Sequence, residues 1–337
     1  MCRINLVCCY FIVICGNIKQ NLKKEIKSEP VLEGLVYKST GSWYRVECEK
    51  EVLDCRLKGK LKLSRTGATN PVAVGDIVLV EREQGNPGKG LITEIKERRN
   101  YLIRKSVHKT GQAHILASNI DQLVVIASLK MPRTSLGFID RLLVSAESYS
   151  IPARVVFNKA DLLEEDEFEY VEALAEMYTS IGYPALITSV TESLNMDAFK
   201  EILQGKTSLL SGHSGVGKST LVNSIFPGLN LSTQEISDFA SKGKHTTTFA
   251  EMHSLDENTR IIDTPGIKEL GLLEMEDDNL SHYFPEMQPF AENCKFYNCT
   301  HMHEPGCMVI DALDKGKLPL TRYDSYLSMM ERDDNRR

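Results

Sequence analysis

The chain has no surplus of positive charge: its 337 residues carry 40 Lys and Arg against 46 Asp and Glu, a formal net charge of −6. Bulk electrostatics therefore cannot draw it onto a polyanion, and any contact with nucleic acid has to come from local basic patches. It also lacks a long apolar run. The stretch Asn5 to Gly16 is apolar, but a spanning helix needs about 20 such residues, so no membrane segment is expected. A secretory leader would have a similar core, yet the small-residue cleavage site is poor. Residues 1–31 read instead as a disordered or non-native extension, with initiation near Val31 or Leu32. Cysteine is present without the regular pairing of a disulfide framework. Of nine, three fall between Cys294 and Cys307, and the rest lie in the N-terminal tail or at Cys48 and Cys55. This excludes a small disulfide scaffold and points to intracellular thiol chemistry.

What is present is a phosphate-binding loop. Gly212-His213-Ser214-Gly215-Val216-Gly217-Lys218-Ser219-Thr220 follows a short apolar strand, Thr207 to Leu210, and opens a helix from Ser219 to Phe226. Glycines let successive backbone N–H groups converge on phosphate oxygens, and the helix turns its positive end to the same anion. Lys218 is placed to reach the β- and γ-phosphates and Ser219 to bind magnesium.

Asn158-Lys159-Ala160-Asp161 follows a strand-like run, Pro152 to Phe157, at the carboxyl end of a strand where open α/β sheets bind ligands. Asp161 can accept from the N1–H and exocyclic amine of guanine. Adenine offers neither donor in that arrangement, so discrimination of about four orders of magnitude is within reach. Lys159 would lay its stem along the base and Asn158 would tie this loop to the phosphate loop. After the next strand, a Ser189 or Val190 amide could bond the guanine carbonyl; a plain strand-end turn is the alternative. Arg260 to Gly266 is an apolar strand ending in Asp-x-x-Gly. There Asp263 would hold magnesium through water and the Gly266 amide would sense the γ-phosphate. Upstream, Lys244-His245-Thr246-Thr247-Thr248 is the place for a first switch, with Thr247 as the magnesium ligand.

The guanine loop precedes the phosphate loop, the reverse of the usual order, so the nucleotide domain is circularly permuted. Chain ends in compact domains often lie close together, which makes such permutation tolerable. Its consequence is that the segment after Gly266 leads directly into a C-terminal module. That module carries Cys294-x4-Cys299-x-His301-x5-Cys307, three thiolates and an imidazole, a closed shell suited to one structural zinc. His303 is the spare histidine and is expected to be exposed.

Ahead of the nucleotide domain, short β-like runs from Leu35 to Ile95 are separated by Gly, Pro, Asn and Ser, which suggests a small OB-like barrel. In the run Val52 to Leu63, Arg56, Lys58, Lys60 and Lys62 alternate with Leu57, Gly59, Leu61 and Leu63. A strand would turn all four cations to one face, either as a track for RNA phosphates or as a solvated barrel surface.

The full set is α/β: a circularly permuted P-loop GTPase domain, an N-terminal OB-like β-barrel and a C-terminal helical zinc-binding module. The expected divisions are 1–31, 32–106, 107–280 and 281–337. In this combination the chain resembles the ribosome small subunit-dependent GTPase A family (RsgA, also called YjeQ) over roughly residues 32 to 330. The resemblance implies a cytoplasmic GTP hydrolase, expected to be a monomer, that acts late in maturation of the 30S subunit. The subunit would stimulate it, with barrel and zinc module gripping rRNA. Many GTPases orient the attacking water with a glutamine after Asp-x-x-Gly. Ile267 stands there instead, so intrinsic turnover is expected to be slow. The resemblance points to His245 for the missing role, a loop or RNA contact being the alternative. An assembly factor with a non-catalytic GTP site, or a signalling GTPase with protein partners, are the competing functional readings.

Overall fold

The computed structural model describes residues 31–49, 51–59, 70–83, 85–105, 113–229, 250–263 and 277–331. Strands β1 (Leu32–Ser39), β2 (Tyr44–Cys48), β3 (Glu51–Leu57), β4 (Ile77–Arg82) and β5 (Lys89–Ile95) run in the order β1-β2-β3-β5-β4. β4 then pairs back onto β1, closing a five-stranded barrel. Closure satisfies every strand edge. Alternate residues, among them Val36, Val46, Leu53, Val78, Val80 and Ile92, fill the interior. The expected long basic strand is shorter than the alternation suggested. β3 ends at Leu57, and Lys58 lies beyond it with its ammonium on Glu81, 2.9 Å away. Lys60 and Lys62 lie outside the described residues.

A hairpin, β6 (Tyr101–Lys105) with β7 (Ala113–Ser118), leads out of the barrel. A division of the chain at residue 106 therefore parts two hydrogen-bonded strands. The buried carboxylate of Asp76 holds barrel and hairpin together. It accepts from Arg98 Nε at 2.6 Å, Arg98 Nη2 at 2.7 Å, Ser118 Oγ at 2.6 Å and the Ala73 amide at 2.8 Å.

The nucleotide domain is a sheet ordered β10 (Ala185–Thr188), β9 (Ala153–Asn158), β8 (Gln122–Ala127), β11 (Thr207–Ser211), β13 (Arg260–Asp263), β12 (Glu251–Ser254). All pairs are parallel except β12 with β13. β8 is buried at every position, as a strand covered on both faces must be. Leu123 and Val125 face α1 (Leu136–Ser148) and α2 (Glu165–Ser180). Val124 and Ile126 face α3 (Met196–Leu203) and α4 (Lys218–Ile225). β11 lies between β8 and β13 although it arrives after β10 in the chain, which is the permutation expressed as topology. β12 meets the barrel strand β1 at Glu251 and Lys38, whose side chains pair at 2.8 Å.

The C-terminal region contributes α5 (Gln288–Ala291), α6 (Met308–Asp314) and α7 (Leu320–Met330). Their core of Leu280, Phe284, Met287, Val309, Tyr323, Tyr326 and Met329 includes Val144 of α1. At this seam Arg322 of α7, 1% exposed, donates to Asp140 of α1 at 2.7 Å and to Glu286 at 2.7 Å. Ser325 and Tyr178 donate to the same Asp140 carboxylate. Burial alone would favour loss of the guanidinium charge; the Asp140 and Glu286 carboxylates outweigh it and hold the Arg322 pKa above its ordinary value.

Removing one partner from such a cluster strands the others in low dielectric. Arg322→Ala is expected to lower unfolding free energy by about 3 to 5 kcal/mol, read from urea denaturation. A loss below about 1 kcal/mol would show that the cluster is solvated rather than buried.

Candidate nucleotide site and metal centre

The phosphate loop joins β11 to α4 through three glycines with positive φ, Gly212 at 153°, Gly215 at 82° and Gly217 at 96°. Gly212 has no room for a Cβ against the Ile126 carbonyl, and Gly217 links the loop to the guanine strand. It caps α4 in a left-handed conformation, and a Cβ there would collide with the side-chain amide of Asn158. Val216 at the loop's centre is fully buried beside Leu221 and Val222, so the loop is anchored from below. Ser214 and Thr220 are exposed, and Ser219, the second residue of α4, is half-buried. The Lys218 ammonium donates to the Gly212 and His213 carbonyls, both at 2.9 Å, which ties the start of the loop to the first turn of α4.

Asn158 ties the two loops, as its position after β9 suggested. Its Nδ2 donates to the Val216 carbonyl at 2.8 Å, while its Oδ1 accepts from Thr188 Oγ1 at 3.1 Å. Lys159 sits in the left-handed region at φ 68°, and its ammonium donates to the Met131 carbonyl. Ala160, buried, opens a single 3-10 turn that aims Asp161. Asp161 Oδ1 accepts from Ser189 Oγ at 2.6 Å. That hydroxyl is the main reason the Asp161 carboxyl lies below its usual range; desolvation opposes it and Thr191 assists. The group is thus an acceptor, as two guanine donors require.

Ser189 reaches the site through its hydroxyl. Its amide donates to Leu194 at 3.3 Å, so the backbone bond to guanine suggested by the sequence meets an amide already engaged. Val190 follows in the same turn, half-buried. Thr188 and Met131 went unnoticed in the sequence because neither belongs to a motif; only the fold brings them beside Asn158 and Lys159. Asp263 ends β13 directly across from Leu210 of the phosphate-loop strand. Gly266, Thr247 and His245 lie outside the described residues.

In the C-terminal module the ligand atoms of Cys294, Cys299, His301 and Cys307 all lie within 4.8 Å of one another. His301 Nδ1 is 3.6 Å from the Cys294 sulfur and 3.5 Å from that of Cys307. Burial holds the His301 imidazole toward its neutral, ligating form. Burial likewise pushes the Cys299 thiol up to about 12, with Cys307 and Cys294 adding to the effect. Such a set is poorly matched to free thiolates and well matched to a soft dication that stabilises them. The Met308 amide donates to the Cys294 sulfur at 3.3 Å, which suits a ligating thiolate. His303, two residues on, is exposed. Glu304 braces the loop by accepting from the amides of Thr300, Met302 and His303. Desolvation opposes its ionisation, but these bonds and the Thr300 hydroxyl prevail and bring its pKa down to about 2. Tyr323 and Tyr326 of α7 donate to the carbonyls of His301 and Thr300 at 2.7 and 2.6 Å.

A family model described as RsgA GTPase matches residues 95–273, and one described as RsgA N-terminal domain matches residues 33–92. The chain belongs to the RsgA GTPase family. It is similar to the small ribosomal subunit biogenesis GTPase RsgA 2 of Bacteroides thetaiotaomicron, 49% identical over 301 residues, which cover 89% of this chain and 96% of that protein. The corresponding RsgA of Christiangramia forsetii is 50% identical over 306 residues, 90% of this chain and 97% of that one. Among solved structures, YjeQ from Thermotoga maritima superposes with a TM-score of 0.72 at 32% identity, covering 91% of this chain and all of that one. YloQ, described as a circularly permuted GTPase, gives 0.68 at 30% identity, with 93% and 98% covered. As an RsgA-family member the chain is a GTP-hydrolysing enzyme, and the inverted motif order is a property of its fold. Among its described residues no helix is long and apolar enough to cross a membrane.

The Asp161 geometry makes base selection testable. Asp161→Asn presents a donor where guanine also donates, so GTP affinity should fall by about two orders of magnitude or more. Xanthosine triphosphate, with a carbonyl at that edge, should then bind better than GTP in fluorescent-nucleotide competition. Unchanged GTP preference would remove Asp161 from the base site.

Proposed function

We propose that this chain is a GTPase of small ribosomal subunit biogenesis, cytoplasmic and monomeric, that engages rRNA and whose turnover the 30S subunit stimulates. The observation that carries the reading is the Asn158 bridge to Val216, which makes one continuous site of the guanine loop and the phosphate loop. The names carried by its close relatives supply the biological setting.

In this reading Gly212 to Ser219 cradle the phosphates, Lys218 neutralises the β- and γ-oxygens, and Asp161 reads the base. Ser219, Thr247 and Asp263 are the groups that would hold magnesium, which offsets the charge building on the transferred phosphoryl. The Gly266 amide is assigned to sensing the γ-phosphate, and His245 to orienting the attacking water that Ile267 cannot. Cys294, Cys299, His301 and Cys307 hold one zinc with no open position, a structural role.

Arg56, one of the four cations the sequence set on a strand face, supports an RNA contact together with groups outside that strand. Lys58 is drawn to Glu81, whereas the exposed Arg56 lies 3.8 Å over the ring of Trp43, with Lys89 at 5.7 Å. Trp43 is the one tryptophan in the chain. An indole flanked by two cations supplies both a stacking face and phosphate charge. On the zinc loop, Lys295, Phe296 and a fully exposed Tyr297 make a second such group. Stacking platforms with adjacent cations fit unpaired rRNA better than a protein partner.

GTP hydrolysis titrated with purified 30S subunits tests the proposal. Slow turnover alone and a saturable rise of at least about tenfold with subunits are expected, equivalent to about 1.4 kcal/mol of barrier. Lys218→Ala should abolish the rise, and a double Arg56→Ala, Lys89→Ala variant should shift the titration to higher subunit concentration and flatten its salt dependence. Hydrolysis indifferent to subunits would refute the ribosomal reading, and undiminished turnover in Lys218→Ala would refute the site.

A further inference from the structure

Among the contacts of the phosphate loop is one with α1, a helix that belongs to none of the nucleotide motifs. The imidazole of His213 stacks on the ring of Phe138, with centroids 3.9 Å apart and planes inclined by 24°. Phe138 stands in the first turn of α1, whose start is fixed by Ser135; the Ser135 hydroxyl accepts from the Phe138 amide. Two residues on, Asp140 receives Arg322 and Ser325 of α7. At about 100° per residue the two side chains leave the helix in nearly opposite directions, one toward the phosphate loop and one toward the C-terminal module. From α7, Tyr323 and Tyr326 hold the carbonyls of His301 and Thr300 in the metal-binding loop. An unbroken series of packed and hydrogen-bonded groups therefore runs from the Cys294/His301 cluster to the carbonyl of His213, which accepts the Lys218 ammonium.

We propose that Phe138 is a positioning residue for the phosphate loop, and that the first turn of α1 couples nucleotide affinity to the zinc-binding module. This route is separate from the switch that follows Asp263. Phe138 fixes the His213 ring, the ring fixes its peptide, and the peptide sets where Lys218 rests before phosphate arrives. A contact at the zinc loop that shifts α7 moves Asp140, and with it the ring against which His213 is stacked. The middle of the link is enclosed: Ile139, between the two side chains, and Asp140 are both fully buried.

The inference rests on the nucleotide-site reading, and its test needs no ribosome. Loss of the Phe138 to His213 stack should raise the KM for GTP by about three- to tenfold, the scale of one aromatic pair, with a smaller change in kcat. Phe138→Leu keeps an apolar side chain of somewhat smaller volume and should show this rise with only a small drop in thermal midpoint, while Phe138→Tyr should keep the wild-type KM. Tyr323→Phe removes only the hydroxyl that holds the His301 carbonyl. It should speed release of a fluorescent GDP analogue by about threefold in the wild-type background, and by nothing further in Phe138→Leu, because the route is already cut. Two outcomes overturn the proposal: a wild-type KM in Phe138→Leu, or Tyr323 and Phe138 effects that simply multiply. Failure of the underlying site reading looks different, since wild-type protein and Lys218→Ala would then bind GTP equally.

Discussion

The ion cluster at Arg322 constrains everything on its side of the molecule. A guanidinium and two carboxylates at the seam between α1 and α7 are each costly to bury, and they are tolerated because every charge meets another at hydrogen-bond distance. Phe284 and Tyr183 close over the guanidinium at 4.6 and 5.6 Å. Such a cluster contributes little more to stability than an apolar contact would, but it admits one arrangement. α7 cannot slide or lift from α1 without exposing an uncompensated charge to a dry interior. The same helix supplies the two tyrosine hydroxyls that brace the loop around His301, so the position of that loop follows from the position of α1.

Circular permutation gives this constraint its use. The sheet order β10-β9-β8-β11-β13 is set by which apolar strands pair, and pairing is indifferent to where the chain is cut. Opening it ahead of β8 puts the barrel strands before the GTPase core and leaves the chain beyond Asp263 to build the C-terminal helices. A GTPase core thus carries the five-stranded barrel on one flank, joined through Asp76 and through Lys38 with Glu251, and the helical module with the Cys294, Cys299, His301 and Cys307 cluster on the other. Each flank is attached by a buried or partly buried charge in addition to apolar contact.

Residues whose chemistry is local were legible in the sequence. Gly217 must be glycine because of its own φ and the Asn158 amide beside it. The spacing of Cys294, Cys299, His301 and Cys307 follows from one short loop closing on one centre, and Asp161 is read from the strand that precedes it. Residues defined by partners far along the chain were not legible. Asp140 and Arg322 are 182 positions apart; in the sequence one is an acidic residue within a helical run and the other an ordinary helical arginine. Phe138 reads only as the start of a helix, and Thr188 as the end of a strand. The basic alternation after Arg56 misled for a related reason. Period-two spacing is necessary for a strand face but does not make a strand, and β3 ends at Leu57, with Lys58 turned to Glu81. β12 and α3 are short, four and eight residues, and too brief to announce themselves by periodicity.

Through the Arg322 cluster, α1, α7 and the loop around His301 are held as one cooperative unit. Native-state hydrogen exchange of the zinc-loaded protein reads this most directly. Amides of α7 and of the loop around His301 should open with the same free energy and denaturant dependence as those of α1. Exchange of α7 through a separate, much lower-energy opening while α1 stays protected would contradict it.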